Sequence, residues 1–115
     1  MGGIFSSSSK KVDYSGKLIV ITGGGSGIGL EMAKSFSRDG AQVVITGRTK
    51  SKLEAAAKEH ENITPFVCDV SKDDDMIKLR DAMEKKGGVD FLVNNAGVAH
   101  DIDFLDETNK ISTQF

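Results

Sequence analysis

The chain has 115 residues, of which 38% are hydrophobic and 28% are charged, a composition typical of one small soluble globular domain. Its formal net charge of -2 offers no basic surface for nucleic acid, and no apolar run is long enough to span a bilayer. The single cysteine, Cys68, excludes a disulfide framework within the chain and favours a reducing, cytoplasmic compartment. Because it lies in an apolar run, we expect Cys68 to be a buried small hydrophobe.

The segment 1–14 differs from the rest of the chain and is predicted to form a flexible tail. Four serines at positions 6–9 are followed by Lys10 and Lys11. The chain also begins Met-Gly-x-x-x-Ser, the pattern of N-myristoylation, with Gly2 as the acceptor. One acyl chain anchors a protein only marginally, so the lysines would have to add a second membrane signal. Two interpretations stay open, a solvated tail and an acylated tail that contacts a membrane.

From Lys17 onward, strand-like and helix-like segments alternate. Short β-branched apolar runs bounded by turns predict four buried parallel strands, at 18–21, 42–46, 63–68 and 89–93. Apolar residues at helical spacing predict three helices between them, at 27–38, 50–60 and from Ser71 to Gly87-Gly88. The βαβαβαβ order indicates an α/β fold with a doubly wound, Rossmann-like parallel sheet that ends after its fourth strand.

Local signals place the element boundaries. Ser71 is predicted to cap the third helix, because three aspartates follow it where the helix dipole favours negative charge. Asp39-Gly40 ends the first helix. Pro65, early in the third strand, is compatible only with an edge strand or a strand start.

The glycine-rich run Thr22-Gly-Gly-Gly-Ser-Gly-Ile-Gly29 follows the first strand and opens the first helix. Gly23 allows the tight turn off the strand, Gly27 leaves room for a pyrophosphate, and Gly29 lets the helix pack close to the sheet. Phosphates would then meet backbone N–H groups at the positive end of the helix dipole. The spacing Gly-x-x-x-Gly-x-Gly differs from the common Gly-x-Gly-x-x-Gly of other dinucleotide enzymes, and the run lacks the Gly-Lys-Ser/Thr of a P-loop. Between a buried strand and an amphipathic helix, it indicates a nucleotide-binding role.

Three motifs together resemble the short-chain dehydrogenase/reductase family. They are the glycine run, Asp69-Val70 after the third strand, and Asn94-Asn-Ala-Gly97 after the fourth. The resemblance extends from about residue 15 to residue 97, and it implies that 15–115 form a partial NAD(P)-binding Rossmann domain with strand order 3-2-1-4. The fourth strand would then be an unpaired apolar edge.

The resemblance also implies a role for each motif residue. Those near the cofactor's pyrophosphate and neighbouring ribose would be Thr22, Gly23, Ser26, Gly27, Ile28 and Gly29. Asp69 would accept a hydrogen bond from the adenine amino group, with the backbone of Val70 beside it. Asn95, Ala96 and Gly97 would pass along the adenosine ribose.

The residues after the second strand favour NADP(H) over NAD(H). An NAD site usually has an acidic residue there to hold the ribose 2′-hydroxyl, whereas this chain reads Ile45-Thr-Gly-Arg-Thr-Lys50. The guanidinium of Arg48 suits a 2′-phosphate, because it can donate two parallel hydrogen bonds to it.

The family's catalytic Tyr-x-x-x-Lys pair does not occur in these 115 residues. The single tyrosine, Tyr14, precedes the first strand and has Leu18 four residues later, so we assign no catalytic residue and no metal ligand. Two functions remain open. The chain is either the cofactor-binding part of an NADP(H)-dependent oxidoreductase, whose carbonyl or alcohol substrate requires a longer chain, or a non-catalytic, regulatory NADP(H)-binding isoform.

Overall fold

The computed structural model of the chain describes residues 13–95 and the backbone of residues 112–114. Glycine and polar turns separate its apolar runs into alternating strands and helices. They are β1 (Leu18–Thr22), α1 (Gly27–Arg38), β2 (Gln42–Gly47), α2 (Lys50–Lys58), β3 (Ile63–Val67), α3 (Asp73–Glu84), β4 (Phe91–Asn94) and β5 (Ser112–Gln114).

The strands form one parallel sheet in the order β3-β2-β1-β4-β5. β1 lies between β2 and β4, with Ile21 level with Ile45 on one side and with Val93 on the other. All five residues of β1 are buried, as expected for a strand covered on both faces. The predicted Rossmann-like α/β fold is therefore confirmed, together with the order 3-2-1-4 of its first four strands.

The prediction that the sheet ends at its fourth strand was wrong. Residues Ser112–Gln114 form a short parallel strand, β5, along the outer edge of β4, so β4 is not an unpaired edge. The sequence Ser-Thr-Gln has no apolar run or alternation, and it therefore carried no strand signal. Pairing instead satisfies backbone groups of β4 that would otherwise lack partners.

Successive residues of β1 point to opposite faces of the sheet and so contribute to two apolar layers. Leu18 and Val20 join a cluster that includes buried residues of α3, whereas Ile19 and Ile21 join a cluster that includes Ala33 of α1. The residues of α3 in the first cluster are Met76, Leu79 and Met83, as their helical spacing predicted. Helices thus cover both faces, α1 and α2 on one and α3 on the other.

Several boundaries differ from the predicted ones by one to three residues. The N-cap of α3 is Lys72 rather than Ser71, because the Ser71 hydroxyl donates instead to Asp69, at 2.6 Å. The helix α2 ends at Lys58, two residues before its predicted end. Pro65 lies in β3, the strand at one edge of the sheet, where its missing N–H costs no hydrogen bond to a further strand.

Tyr14, which the sequence placed in the tail, is attached to the domain. Its backbone N–H donates to Asp39, at 2.8 Å, and its ring meets those of Phe36 and Phe91 edge to face. The ordered contacts of the chain therefore begin no later than Tyr14. Gly2 lies outside the described residues. Within 13–95 and 112–114, no helix has the length and apolar character needed to cross a membrane.

Replacing Leu79 by alanine should lower the free energy of unfolding by about 2–5 kcal/mol, because Leu79 is fully buried and the change leaves a cavity. On the same helix, Ile77 is 38% exposed, and Ile77→Ala should cost about 0.5 kcal/mol or less. Urea unfolding followed by circular dichroism measures both. Equal losses for the two variants would contradict the described packing of α3.

Candidate functional site

The carboxyl ends of β1, β2, β3 and β4 lie at one edge of the sheet, since the strands are parallel. A cavity of about 320 Å³ opens there between the segments that follow β1, β2 and β3. Its lining residues are Gly23, Thr46, Gly47, Arg48, Cys68, Asp69, Val70 and Ser71. Crevices at this edge are where open α/β sheets bind their ligands.

The glycine turn, residues 23–26, connects β1 to α1 and places the N-terminus of α1 at this edge. Gly23 and Gly27 have φ values of +69° and +59°, which side-chain-bearing residues rarely adopt. The N–H of Gly24 donates to the carbonyl of Thr46, at 3.2 Å, so the turn is also attached to β2. Ser26 is the N-cap of α1, yet its side chain makes no capping hydrogen bond. The Ser26 side chain therefore does not occupy the N–H groups of the first turn, and these groups can donate to an anion at the helix terminus.

Gly29 is where α1 comes closest to the turn and to β4. A Cβ atom at Gly29 would lie 2.4 Å from the carbonyl oxygen of Gly23 and 2.6 Å from Nδ2 of Asn95. The Asn95 amide donates to that same oxygen, at 3.1 Å. The close packing of α1 that Gly29 was predicted to allow is thus confirmed. Asn95 joins the end of β4 to the turn. Ala96 and Gly97 lie outside the described residues.

The remaining predicted residues of the glycine run face in different directions. Thr22 is buried, and its hydroxyl donates to Oδ1 of Asn94, at 3.2 Å, so its side chain joins β1 to β4. Ser26 is exposed, and Ile28 is 74% exposed, an unusual position for a large apolar side chain. Ile28 therefore leaves an apolar surface beside the first turn of α1, where a ligand at the helix terminus would lie.

The carboxyl group of Asp69 is held by local hydrogen bonds. One oxygen of its carboxylate accepts the hydroxyl of Ser71, at 2.6 Å, and the backbone N–H of Ser71, at 2.9 Å. These hydrogen bonds lower the pKa of Asp69 below its ordinary value of 3.8, and the charges of Arg48 and Lys72 lower it further. The site therefore presents a carboxylate at one wall of the cavity and the exposed guanidinium of Arg48 in its lining.

The floor of the cavity includes two buried side chains, Thr46 and Cys68. Thr46 is fully buried, and within the described part of the chain its hydroxyl has no hydrogen-bond partner. Cys68 is 1% exposed, which confirms its prediction as a buried residue, and its thiol lies 3.8 Å from the sulfur of Met76. Burial raises the pKa of the Cys68 thiol to about 11, with smaller contributions from the charges of Asp75 and Asp69.

Sequence reasoning did not identify Thr46, Gly47, Cys68 or Ser71 as lining residues. Thr46 and Gly47 belong to β2, and their types carry no signal beyond strand periodicity. Ser71 could have been found from the Asp-x-Ser spacing, because aspartate often hydrogen-bonds the backbone two residues later. No group of three or more potential metal-ligating side chains occurs among the described residues.

The comparisons with known proteins agree with this geometry. The family model described as short chain dehydrogenase matches residues 17–114. The short-chain dehydrogenase/reductase VdtF of Byssochlamys spectabilis is 42% identical over 102 residues, which are 86% of this chain and 33% of that protein. Farnesol dehydrogenase of Aedes aegypti is 39% identical over 102 residues, 84% of this chain and 42% of that protein.

Solved structures match as well. The 3-ketoacyl-(acyl-carrier-protein) reductase from Brucella melitensis, complexed with NADH, is 43% identical with a TM-score of 0.69. That match covers 76% of this chain and 37% of the reductase. The chain spans about a third of the length of several curated relatives that it matches.

Replacing Gly29 by alanine should lower the free energy of unfolding by about 1–3 kcal/mol, because the new methyl group overlaps backbone atoms of Gly23. Helix propensity alone predicts the opposite sign, a gain of about 1 kcal/mol. Gly25→Ala is the control, since its Cβ would come no closer than 4.0 Å to a backbone atom and would meet Cδ2 of Leu53 at 3.3 Å. Urea unfolding compares the two variants, and a stabilised Gly29→Ala protein would refute the close approach.

The Cys68 thiol of the folded chain should react with iodoacetamide at pH 8 roughly a hundredfold more slowly than the thiol of the unfolded chain. Its pKa rises from 9.0 to about 11, which reduces the reactive thiolate at a given pH. Burial slows the reaction further. Mass spectrometry follows the alkylation in buffer and in urea, with N-acetylcysteine as the control in both. Similar rates for the folded and unfolded chains would contradict the buried position.

Proposed function

The chain belongs to the short-chain dehydrogenase family, and from this we propose that it holds the adenosine end of NADP(H) in an oxidoreductase acting on a carbonyl or secondary alcohol. The observation that carries the proposal is Arg48, an exposed guanidinium in the lining of the cavity at the end of β2. In the enzyme, the nicotinamide supplies or accepts the hydride.

The described residues fit the adenosine half of such a cofactor. The first turn of α1 supports the pyrophosphate, because its N–H groups carry the positive end of the helix dipole and Ser26 does not cap them. Asp69 and Val70 form the wall proposed for the adenine. The buried Thr46 hydroxyl in the floor of the cavity, without a partner in the described residues, provides a further polar group for a ligand.

Arg48 supports NADP(H) as the preferred cofactor. A carboxylate at the end of β2 would bind the 2′-hydroxyl of NAD(H) and repel a 2′-phosphate. This chain has Thr-Gly-Arg there, and the exposed Arg48 guanidinium can pair with two phosphate oxygens. The Brucella reductase is described as complexed with NADH, a statement that concerns that protein.

We further propose that the 115-residue chain binds the cofactor without turnover. Hydride transfer to a carbonyl needs a group that donates a proton to the oxygen. The only tyrosine, Tyr14, packs against Phe36 and Phe91 and belongs to no Tyr-x-x-x-Lys motif. A regulatory NADP(H)-binding isoform is the second candidate function, and the same lack of the motif favours it.

The proposed location is the cytoplasm, with membrane contact through acylation of Gly2 as a further proposal. The single cysteine is buried and unpaired in the structure, which suits a reducing compartment. The myristoylation pattern at Gly2 supports the membrane contact. An intact mass without a myristoyl adduct, after coexpression with N-myristoyltransferase, would exclude acylation.

Replacing Arg48 by glutamate should weaken NADPH binding at least about tenfold and NADH binding far less, because the new carboxylate repels most strongly the 2′-phosphate, which NADH lacks. Arg38→Glu is the matched control. It makes the same change of charge in the last turn of α1, at the end of that helix away from the glycine turn. Isothermal titration calorimetry with NADPH and with NADH measures the six affinities of the wild type and the two variants.

Each outcome of the titrations has a distinct meaning. Equal losses for the two cofactors in Arg48→Glu would refute the NADP(H) assignment. A wild-type chain that binds neither cofactor would refute cofactor binding by these residues. Consumption of NADPH by the wild-type chain with a carbonyl substrate would refute the proposed lack of turnover.

A further inference from the structure

A carboxylate outside the family motifs holds the loop that forms one wall of the cavity. The backbone N–H of Asp69, two residues beyond the end of β3, donates to Oδ2 of Asp75, at 2.8 Å. Asp75 lies in the first turn of α3 and is partly buried, whereas its neighbours Asp73 and Asp74 are exposed. The three aspartates that the sequence assigned to the helix dipole therefore differ in what they contact.

The contact of Asp75 closes a short ring of hydrogen bonds. A carboxylate at the third position of a helix ordinarily reaches back to the N–H of the N-cap residue. Here the N-cap is Lys72, and its N–H donates instead to the carbonyl of Asp69, at 2.9 Å. The Asp75 carboxylate consequently reaches Asp69 itself, so both backbone groups of Asp69 are held by hydrogen bonds.

This ring fixes the part of the chain that faces the cavity. The last ladder bond of the sheet here joins the N–H of Cys68 to Gly47, at 2.8 Å. Beyond it, the loop 69–71 pairs with none of the strands that the structure describes, although its three residues all line the cavity. The Asp75 carboxylate accepts the N–H of the first of them, which points away from β2, and Ser71 completes the turn by donating to Asp69.

We propose that Asp75 is a positioning residue for cofactor binding, which fixes the loop 69–71 in its binding conformation by accepting the Asp69 N–H. This inference rests on the proposed function of the same cavity. A loop that is already ordered loses less conformational freedom when a ligand binds, so the protein binds that ligand with higher affinity. Asp75 is not a catalytic residue, because it acts through the backbone of Asp69.

The proposal predicts that the loss of the Asp75 carboxylate weakens ligand binding, whereas its effect on charge alone would strengthen it. Removing a negative charge near the site should strengthen the binding of an anionic ligand. Asp75→Ala should instead weaken it, because the loop loses its anchor. Asp74→Ala is the matched control, since it removes the same charge one residue earlier, from an exposed side chain. Asp75→Asn removes the charge but keeps an oxygen that can accept the Asp69 N–H.

Isothermal titration calorimetry with adenosine 2′,5′-bisphosphate and with NADP+ tests the proposal on the chain. Asp75→Ala should bind both ligands roughly tenfold more weakly, which corresponds to about 1.4 kcal/mol. Asp75→Asn should stay within about threefold of the wild type, or about 0.7 kcal/mol. Asp74→Ala should bind as well as the wild type or slightly better. Urea unfolding of each variant separates a change of affinity from a loss of fold.

Hydrogen exchange on the wild-type chain provides a second measurement that needs no variant. The Asp69 amide should be protected in the absence of ligand, because its N–H is bonded to Asp75. Exchange at the rate of an unstructured chain would overturn the proposal even if Asp75→Ala failed to fold. Affinities of Asp75→Ala equal to those of Asp74→Ala, or of Asp75→Asn as weak as Asp75→Ala, would also overturn it. If the wild type bound neither ligand, the proposed function itself would fail.

Discussion

The bare Cα of Gly29 is the constraint on which the candidate site depends. Any side chain there would overlap the carbonyl oxygen of Gly23 and the amide of Asn95. Because none is present, α1, the turn after β1 and the end of β4 approach closely enough for Asn95 to donate to Gly23. This approach aims the positive end of the α1 dipole at the carboxyl edge of the sheet, where an anion can be bound.

The two-sided burial of the sheet explains why binding groups collect at that edge. β1 and most of β2 are buried, and helices cover both faces, so the faces themselves are closed to a ligand. Polar groups can face a ligand only where the strands end. Arg48, Asp69 and the glycine turn all follow the carboxyl end of a strand, and the cavity between them combines a positive side chain with a carboxylate.

The segment after β3 shows how a loop without strand partners becomes ordered. Asp69 accepts two hydrogen bonds from Ser71 and has its own N–H and carbonyl bonded, so local polar contacts hold the backbone of the turn. Val70 adds an apolar contact with the buried cluster that includes Met76. The same polar contacts explain the misplaced start of α3. Ser71 was predicted to be the N-cap, but its hydroxyl donates to the Asp69 carboxylate, and the N-cap is Lys72, one residue later.

The sequence by itself determined the first four strands, the three helices and the glycine turn, because hydrophobic periodicity and glycine spacing are local properties. It also determined that a positive charge, Arg48, follows β2, since the residue type is read directly from the sequence. Only the tertiary structure decided that Ser112–Gln114 pairs with β4, that Thr46 is buried without a partner in the described residues, and that Asp75 holds Asp69. These features are contacts, or the lack of a contact, between groups that are brought together only by folding, and hydrophobic periodicity along the chain does not predict them.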